Sequence, residues 1–101
     1  MNEWKPITKG ELETLIEEQL SECSSTQKET FKKYRIQLEE HKIVRYGKIE
    51  KVFVVAIRDN EAMYFEDIEY GFNFSPLGED GTITEHWCNQ DELKYALSRW
   101  K

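Results

Sequence analysis

The sequence predicts an α+β domain, and three observations carry that prediction. Val52-Phe53-Val54-Val55-Ala56-Ile57 is the only run of six apolar residues in the chain. It is rich in β-branched side chains and stops at the turn signal Arg58-Asp59-Asn60, which reads as a central strand covered on both faces. Upstream of it the apolar residues recur at helical spacing; downstream they alternate with period two until a last helical stretch. Helices grouped apart from a run of strands define the α+β class.

At 101 residues the chain is expected to be one compact domain, 1–101. A chain of this length hides roughly two-thirds of its unfolded surface, so a core forms without metal or disulfide staples. With 39% hydrophobic and 13% aromatic residues against 34% charge, it is too rich in core formers for a disordered segment.

Residues 1–7 read as an irregular arm. Thr8 and Glu11 then stand at capping-box spacing, and Ile7 and Leu12 at hydrophobic-staple spacing. Leu12, Leu15, Ile16, Leu20 and Cys23 share one face, predicting a helix over about 9–22. Ser24-Ser25-Thr26 breaks that stripe, and Thr26 with Glu29 repeats the cap spacing. A second helix over about 27–40 follows, turning Phe31, Tyr34 and Leu38 inward, with Ile36 off the stripe. So short a connection implies antiparallel packing.

Ile43 to Tyr46 reads as a short strand before Gly47, and 49–58 as the central one. Asp59-Asn60 supplies a two-residue hairpin, since both residue types tolerate positive φ. That register sets Arg58 opposite Glu61, Ala56 opposite Met63, Val54 opposite Phe65 and Val55 opposite Tyr64. A strand over 69–75 turns Tyr70, Phe72 and Phe74 one way and Gly71, Asn73 and Ser75 to a side that is wet or closely approached. Thr82 to Trp87 alternates as an edge strand would, with Ile83 and Trp87 inward. Asn89 and Glu92 cap a terminal helix of about 90–100 with Leu93, Ala96, Leu97 and Trp100 on one face. The expected architecture is two N-terminal helices, an antiparallel meander of four to five strands, and a C-terminal helix packed on the sheet.

Charge is unevenly placed. The formal total is −6, yet from Asp59 to Leu93 there is no Lys or Arg, and that interval holds Asp59, Glu61, Glu66, Asp67, Glu69, Glu79, Asp80, Glu85, Asp91 and Glu92. The first helix adds Glu11, Glu13, Glu17, Glu18 and Glu22 against Lys9, while residues 26–51 carry eight bases against four acids. Charged surfaces keep small domains soluble, but an acidic face also steers toward basic partners. Phosphate contact needs clustered exposed cations, so nucleic acid is disfavoured as a partner.

Few chemistries find their residues. His86 and Cys88 share a strand face, as an imidazole and the thiol it activates would. Cys88 also falls where a staple partner for Leu93 is expected, so it is assigned to packing. Cys23, His41, His86 and Cys88 have no structural-zinc spacing. Glu66, Asp67 and Glu69 lack a calcium-loop pattern. Glu66, placed by the hairpin opposite Phe53, is expected at the sheet margin in reach of water. No phosphate loop or nucleophile elbow is present. The sequence therefore gives no catalytic set, no metal ligands and no cofactor. Start and composition lack a signal peptide or membrane span, and two isolated cysteines fit a reducing cytoplasm.

Two functions remain. One is a protein-interaction module of the neutraliser or adaptor type, docking a basic partner through Glu66, Asp67, Glu69, Glu79, Asp80, Glu85 and Trp87. Trp4, Trp87 and Trp100 are expected to pack, but a tryptophan exposed within the acidic surface would be its hot spot. The other is a small-molecule binder or enzyme with Tyr70, Phe72 and Phe74 lining a pocket and Glu66 or His86 as its polar group. Either is compatible with a monomer, or with a homodimer completing one face of the central strand.

Overall fold

A computed structural model describes residues 5–100; Trp4 and the start of the predicted N-terminal arm lie outside them. The α+β expectation holds. Helix α1 (Lys9–Leu20) and helix α2 (Ser25–Tyr34) precede strands β1 (Arg35–Arg45), β2 (Lys48–Arg58), β3 (Glu61–Glu66) and β4 (Gly71–Pro76), and a short helix α3 (Leu93–Leu97) closes the chain. The strands form an antiparallel meander in the order β1-β2-β3-β4.

Helix α1 starts as predicted. The Thr8 hydroxyl accepts from the Glu11 N–H, and the Glu11 carboxylate accepts from the Thr8 N–H. The second helix departs from expectation at both ends. Its cap is Ser24 with Gln27 in place of Thr26 with Glu29, and it stops at Tyr34. Residues 35–40 extend instead of coiling, so the expected helix tail and the expected short strand 43–46 merge into one 11-residue strand. Ile36, the residue off the helical stripe, and Leu38 are both partly buried in β1, but the irregularity between Arg35 and Glu39 lets Ile36 pack with the Ile43 cluster and Leu38 with the helix-side one.

The Asp59-Asn60 hairpin forms, with Asp59 at φ +56°, and Arg58–Glu61 and Ala56–Met63 pair as the register requires. A bulge between Val54 and Ala56 then shifts the ladder, setting Val54 opposite Tyr64 and Phe53 opposite Phe65. The predicted Val54–Phe65 and Val55–Tyr64 pairs are not made, because the extra residue at the bulge is left without an opposite number.

Two apolar clusters follow from this register. One packs α1, α2 and α3 on the sheet through Leu12, Ile16, Phe31, Val55, Met63, Phe65, Phe72, Leu93, Leu97 and Trp100. The other lies on the opposite face around Ile43, Val52, Val54, Ala62, Tyr64 and Ile83. What covers that second face is residues 77–92, which run as an irregular strap. The predicted strand 82–87 is absent from it. Only Ile83 makes bridges, to Ile43 of β1 and to Leu77 just beyond β4, so one residue ties both margins of the sheet. Elsewhere sheet side chains hold the strap: Tyr64 Oη donates to the Glu85 carbonyl and accepts from the Trp87 N–H at 2.8 Å. Ser75 Oγ accepts from the Thr84 and Glu85 N–H groups, and Asn73 brackets Asn89, donating to its carbonyl and accepting its N–H.

The last helix is shorter than the expected 90–100. Asn89 is engaged by Asn73 and caps nothing, and Glu92 occupies the N-cap without a side-chain bond. The Leu93 N–H is instead satisfied by the Gln19 side chain of α1, at 2.7 Å. No helix of the described residues is long and apolar enough to cross a membrane.

Candidate functional site

The strap carries the charge that distinguishes this chain. Glu79, Asp80 and Glu85 are exposed on it. Asp80 closes the turn at its tip by accepting the Thr82 N–H, and hydrogen bonding from the Thr82 side chain, then from its backbone, lowers the Asp80 carboxyl below its ordinary value. Trp87, expected to point inward, is 51% exposed, because the backbone bonds to Tyr64 fix residues 85–87 without a β-ladder to alternate against. The indole Nε1–H donates to Glu85 Oε1 at 3.1 Å, placing a carboxylate at the edge of an exposed aromatic ring. Among the described residues no Lys or Arg pairs with Glu85.

Beside this pair lies a cleft of about 360 Å³ between the strap, the β3–β4 edge and the C-terminus, lined by Glu61, Phe74, Pro76, Glu85, Trp87, Asn89 and Arg99. One wall is already furnished. Arg99 donates to Glu61 Oε2 at 2.9 Å, and its guanidinium lies 4.8 Å from the centre of the Phe74 ring. Trp100 Nε1 donates to the other oxygen of Glu61 at 2.7 Å. Burial pushes the Glu61 carboxyl up, but these two hydrogen bonds and the charges of Arg99 and Arg58 outweigh it and leave the group below its ordinary value.

The structure does not bring the other acids of the expected surface to this site. Glu66 and Asp67 are buried on the sheet, where the register shift and the strap enclose them; the expectation that Glu66 reaches water at the margin is overturned. Arg45, itself 2% exposed, donates through Nη1 to both Glu66 oxygens at 2.9 and 3.0 Å and to Asp67 Oδ1 at 3.2 Å, and through Nε to Glu50. Glu66 also accepts the Ile68 N–H, and Asp67 Oδ2 accepts the Ile7 N–H. These carboxylates anchor the start of the chain and the β3–β4 turn to β1. Glu69 is half-buried and paired with Gln90.

His86 and Cys88 do approach each other, at 3.4 Å between Nε2 and Sγ, and Cys88 is exposed, so it is not the staple partner of Leu93 that the sequence suggests. The same Nε2 lies 2.7 Å from Glu66 Oε2. A nitrogen that close to a buried carboxylate, itself salt-bridged to Arg45, carries the proton and donates it. With its one hydrogen committed to Glu66, Nε2 has no lone pair to accept the thiol proton, which a nucleophilic Cys–His pair requires. Tyr46 Oη stands 3.6 Å from the same sulfur, and its hydrogen bond to Cys88 pushes the phenol's pKa up. Among the described residues no group of three or more His, Cys, Asp or Glu side chains is placed to hold a metal ion.

The aromatic stripe is divided. Phe72 is buried beneath the helices and Phe74 is partly buried at their margin. Tyr70 precedes β4 at φ +60° and is exposed, and His86 lies on the strap side. A groove of about 840 Å³ between α1, α2 and β1 has a floor of Ile16, Leu20, Phe31 and Leu38, and none of Tyr70, Phe72, Phe74 or His86 lines it. The chain matches no family model, no curated protein and no solved structure.

Sequence reasoning missed the charged pair of the cleft, Glu61 and Arg99. The signal for Glu61 was its place opposite Pro76, a residue that interrupts a ladder and marks an edge. Arg99 had no sequence signal, because the turn at 98–100 that aims it at Phe74 depends on α3 ending early.

Proposed function

We propose that this chain is a protein-interaction module, of the neutraliser or adaptor type, that docks a basic partner on the face carried by residues 77–92. The observation that supports the reading most directly is Trp87: a large aromatic side chain, half-exposed and hydrogen-bonded to a carboxylate that no Lys or Arg among the described residues pairs with, inside a stretch that contains no Lys or Arg. Aromatic anchors with a charged rim dominate interface energetics, and the surrounding acids supply steering toward cations. Glu79, Asp80, Glu85 and Trp87 are its working residues; Glu66 supports it from inside through His86.

The test is capture from host lysate by the tagged full chain at low and moderate salt, beside a triple reversal of Glu79, Asp80 and Glu85 to Lys and a Trp87→Ala variant. A basic protein held by the wild type, lost from both variants, weakened by salt and protecting amides 79–91 from exchange in the purified complex is the expected result. Equal retention by the reversed variant, or protection confined to another face, would overturn the proposal.

A further inference from the structure

The cleft beside Trp87 already contains a guanidinium from its own chain. Arg99 reaches in from beyond α3, stacks over Phe74 and pairs with Glu61, so aromatic and carboxylate parts on one wall are assembled for that group. The same cleft is lined by a second pair of the same two parts, Trp87 and Glu85, hydrogen-bonded to each other and with no cation from the described residues. Arg99 is weakly held: its side chain is 60% exposed, and exposed ion pairs contribute little.

From this we infer that the cleft is a receptor for an arginine side chain of the docking partner, with Arg99 as an internal placeholder that the incoming guanidinium displaces from Phe74 and Glu61. A planar guanidinium suits the site better than an ammonium. It stacks on aromatic faces and presents a fork of donors to carboxylates, whereas a lysine offers a compact, strongly hydrated charge. Glu85 and Glu61 accept from the two sides of the fork, and Trp87 and Phe74 supply the ring faces. The inference rests on the docking reading and names the chemistry that site takes.

The test uses the full chain and three short peptides, tetra-arginine, tetra-lysine and tetra-citrulline, followed by the Trp87 indole N–H resonance, which Trp87→Phe identifies. Tetra-arginine is expected to bind about threefold or more tighter than tetra-lysine, with citrulline silent because it keeps the shape and loses the charge. Glu85→Gln weakens the arginine peptide about tenfold. The decisive variant is Arg99→Gln. Removing the placeholder tightens binding about threefold, and the charge-matched control Lys32→Gln, far from the cleft on α2, tightens it less. All four substitutions fall on exposed side chains, and spectra of the variants report that the fold is kept. Equal affinity for arginine and lysine peptides, or equal effects of Arg99→Gln and Lys32→Gln, would overturn the inference. If the peptides leave Trp87 unmoved while charge reversal still abolishes partner capture, the cleft inference fails and the docking reading stands.

Discussion

At the scale of single residues, two side chains decide how the strap and the C-terminus are fastened, and both titrate in a readable way. Tyr64 is fully buried, and burial pushes its phenol up to about 12 from the ordinary 10.0, against the backbone hydrogen bond from Trp87, which lowers it. The fold holds the neutral phenol, so this contribution is complete below about pH 10 and is lost as the pH rises toward 12. Ultraviolet titration should show one tyrosine ionising well after the exposed ones, and Tyr64→Phe should remove that late step. The same substitution leaves the Trp87 N–H without its acceptor and is expected to cost about 1–3 kcal/mol in urea unfolding. Glu61 has the opposite sign. Its folded value is depressed, so its contribution is present at neutral pH and disappears as pH falls through the folded value, below the ordinary 4.5. Glu61→Gln should therefore be less stable than the wild type at pH 7, with the difference narrowing as the pH falls below 4.5; equal urea midpoints at neutral pH would refute it. Glu66 was less legible at this scale. A hairpin register counted from its turn places it opposite Phe53, and only the bulge at Val55, which leaves no mark in a run of β-branched residues, moves it beside Arg45.

At the scale of elements, the sequence was read correctly wherever a local signal and the tertiary partner agree. The capping box at Thr8, the Asp59-Asn60 turn and the alternation through Phe72 and Phe74 each specify their element with residues close in the chain. The reading failed where a distant partner decides. Residues 35–40 have helix-compatible composition and become strand because β2 lies beside them to pair with, from Arg35 opposite Ala56 to Glu39 opposite Val54. Thr82 to Trp87 alternates like a strand, yet Tyr64 and Ser75 take its backbone groups singly. Gly71 shows how closely the strap is laid on β4. A Cβ there would sit 2.1 Å from the Asn89 carbonyl oxygen and 2.5 Å from the Gln90 Cα, both backbone atoms, and the Phe72 N–H meanwhile donates to the Asp91 carbonyl. No rotamer change relieves such a clash, so the strap must lift. Gly71→Ala is expected to destabilise by roughly 3 kcal/mol and to raise the exposure of Cys88 to alkylating reagents. Retained stability with unchanged amide shifts at 89–91 would refute this.

Over the whole molecule, the two faces of the sheet are closed by different means, and the difference sets where the fold opens. Three helices bury an extensive apolar cluster on one side, while the other is covered by a strap with a handful of apolar contacts, Leu77 and Ile83 among them. Its remaining attachments are isolated hydrogen bonds, such as those from the Ile83 N–H to the Lys42 carbonyl and from His41 Nδ1 to the Gly81 carbonyl. Local opening follows low burial and exposed backbone bonding, so amides of 77–92 should exchange by a low-energy opening, and those of β2 and β3 only by global unfolding. The net charge of −6 adds to the asymmetry, because the cation-free stretch puts mutual repulsion on the element with least apolar cover. Moderate salt should slow exchange in 77–92 relative to low salt while leaving β2 and β3 nearly unchanged, since screening acts on exposed charges. A basic partner neutralises the same acids and should produce the same selective slowing without added salt. Native-state hydrogen exchange at two ionic strengths, with and without the captured partner, measures both effects on one chain. If 77–92 and the central strands exchange together under every condition, the strap is part of the global unit and its charge has no conformational role.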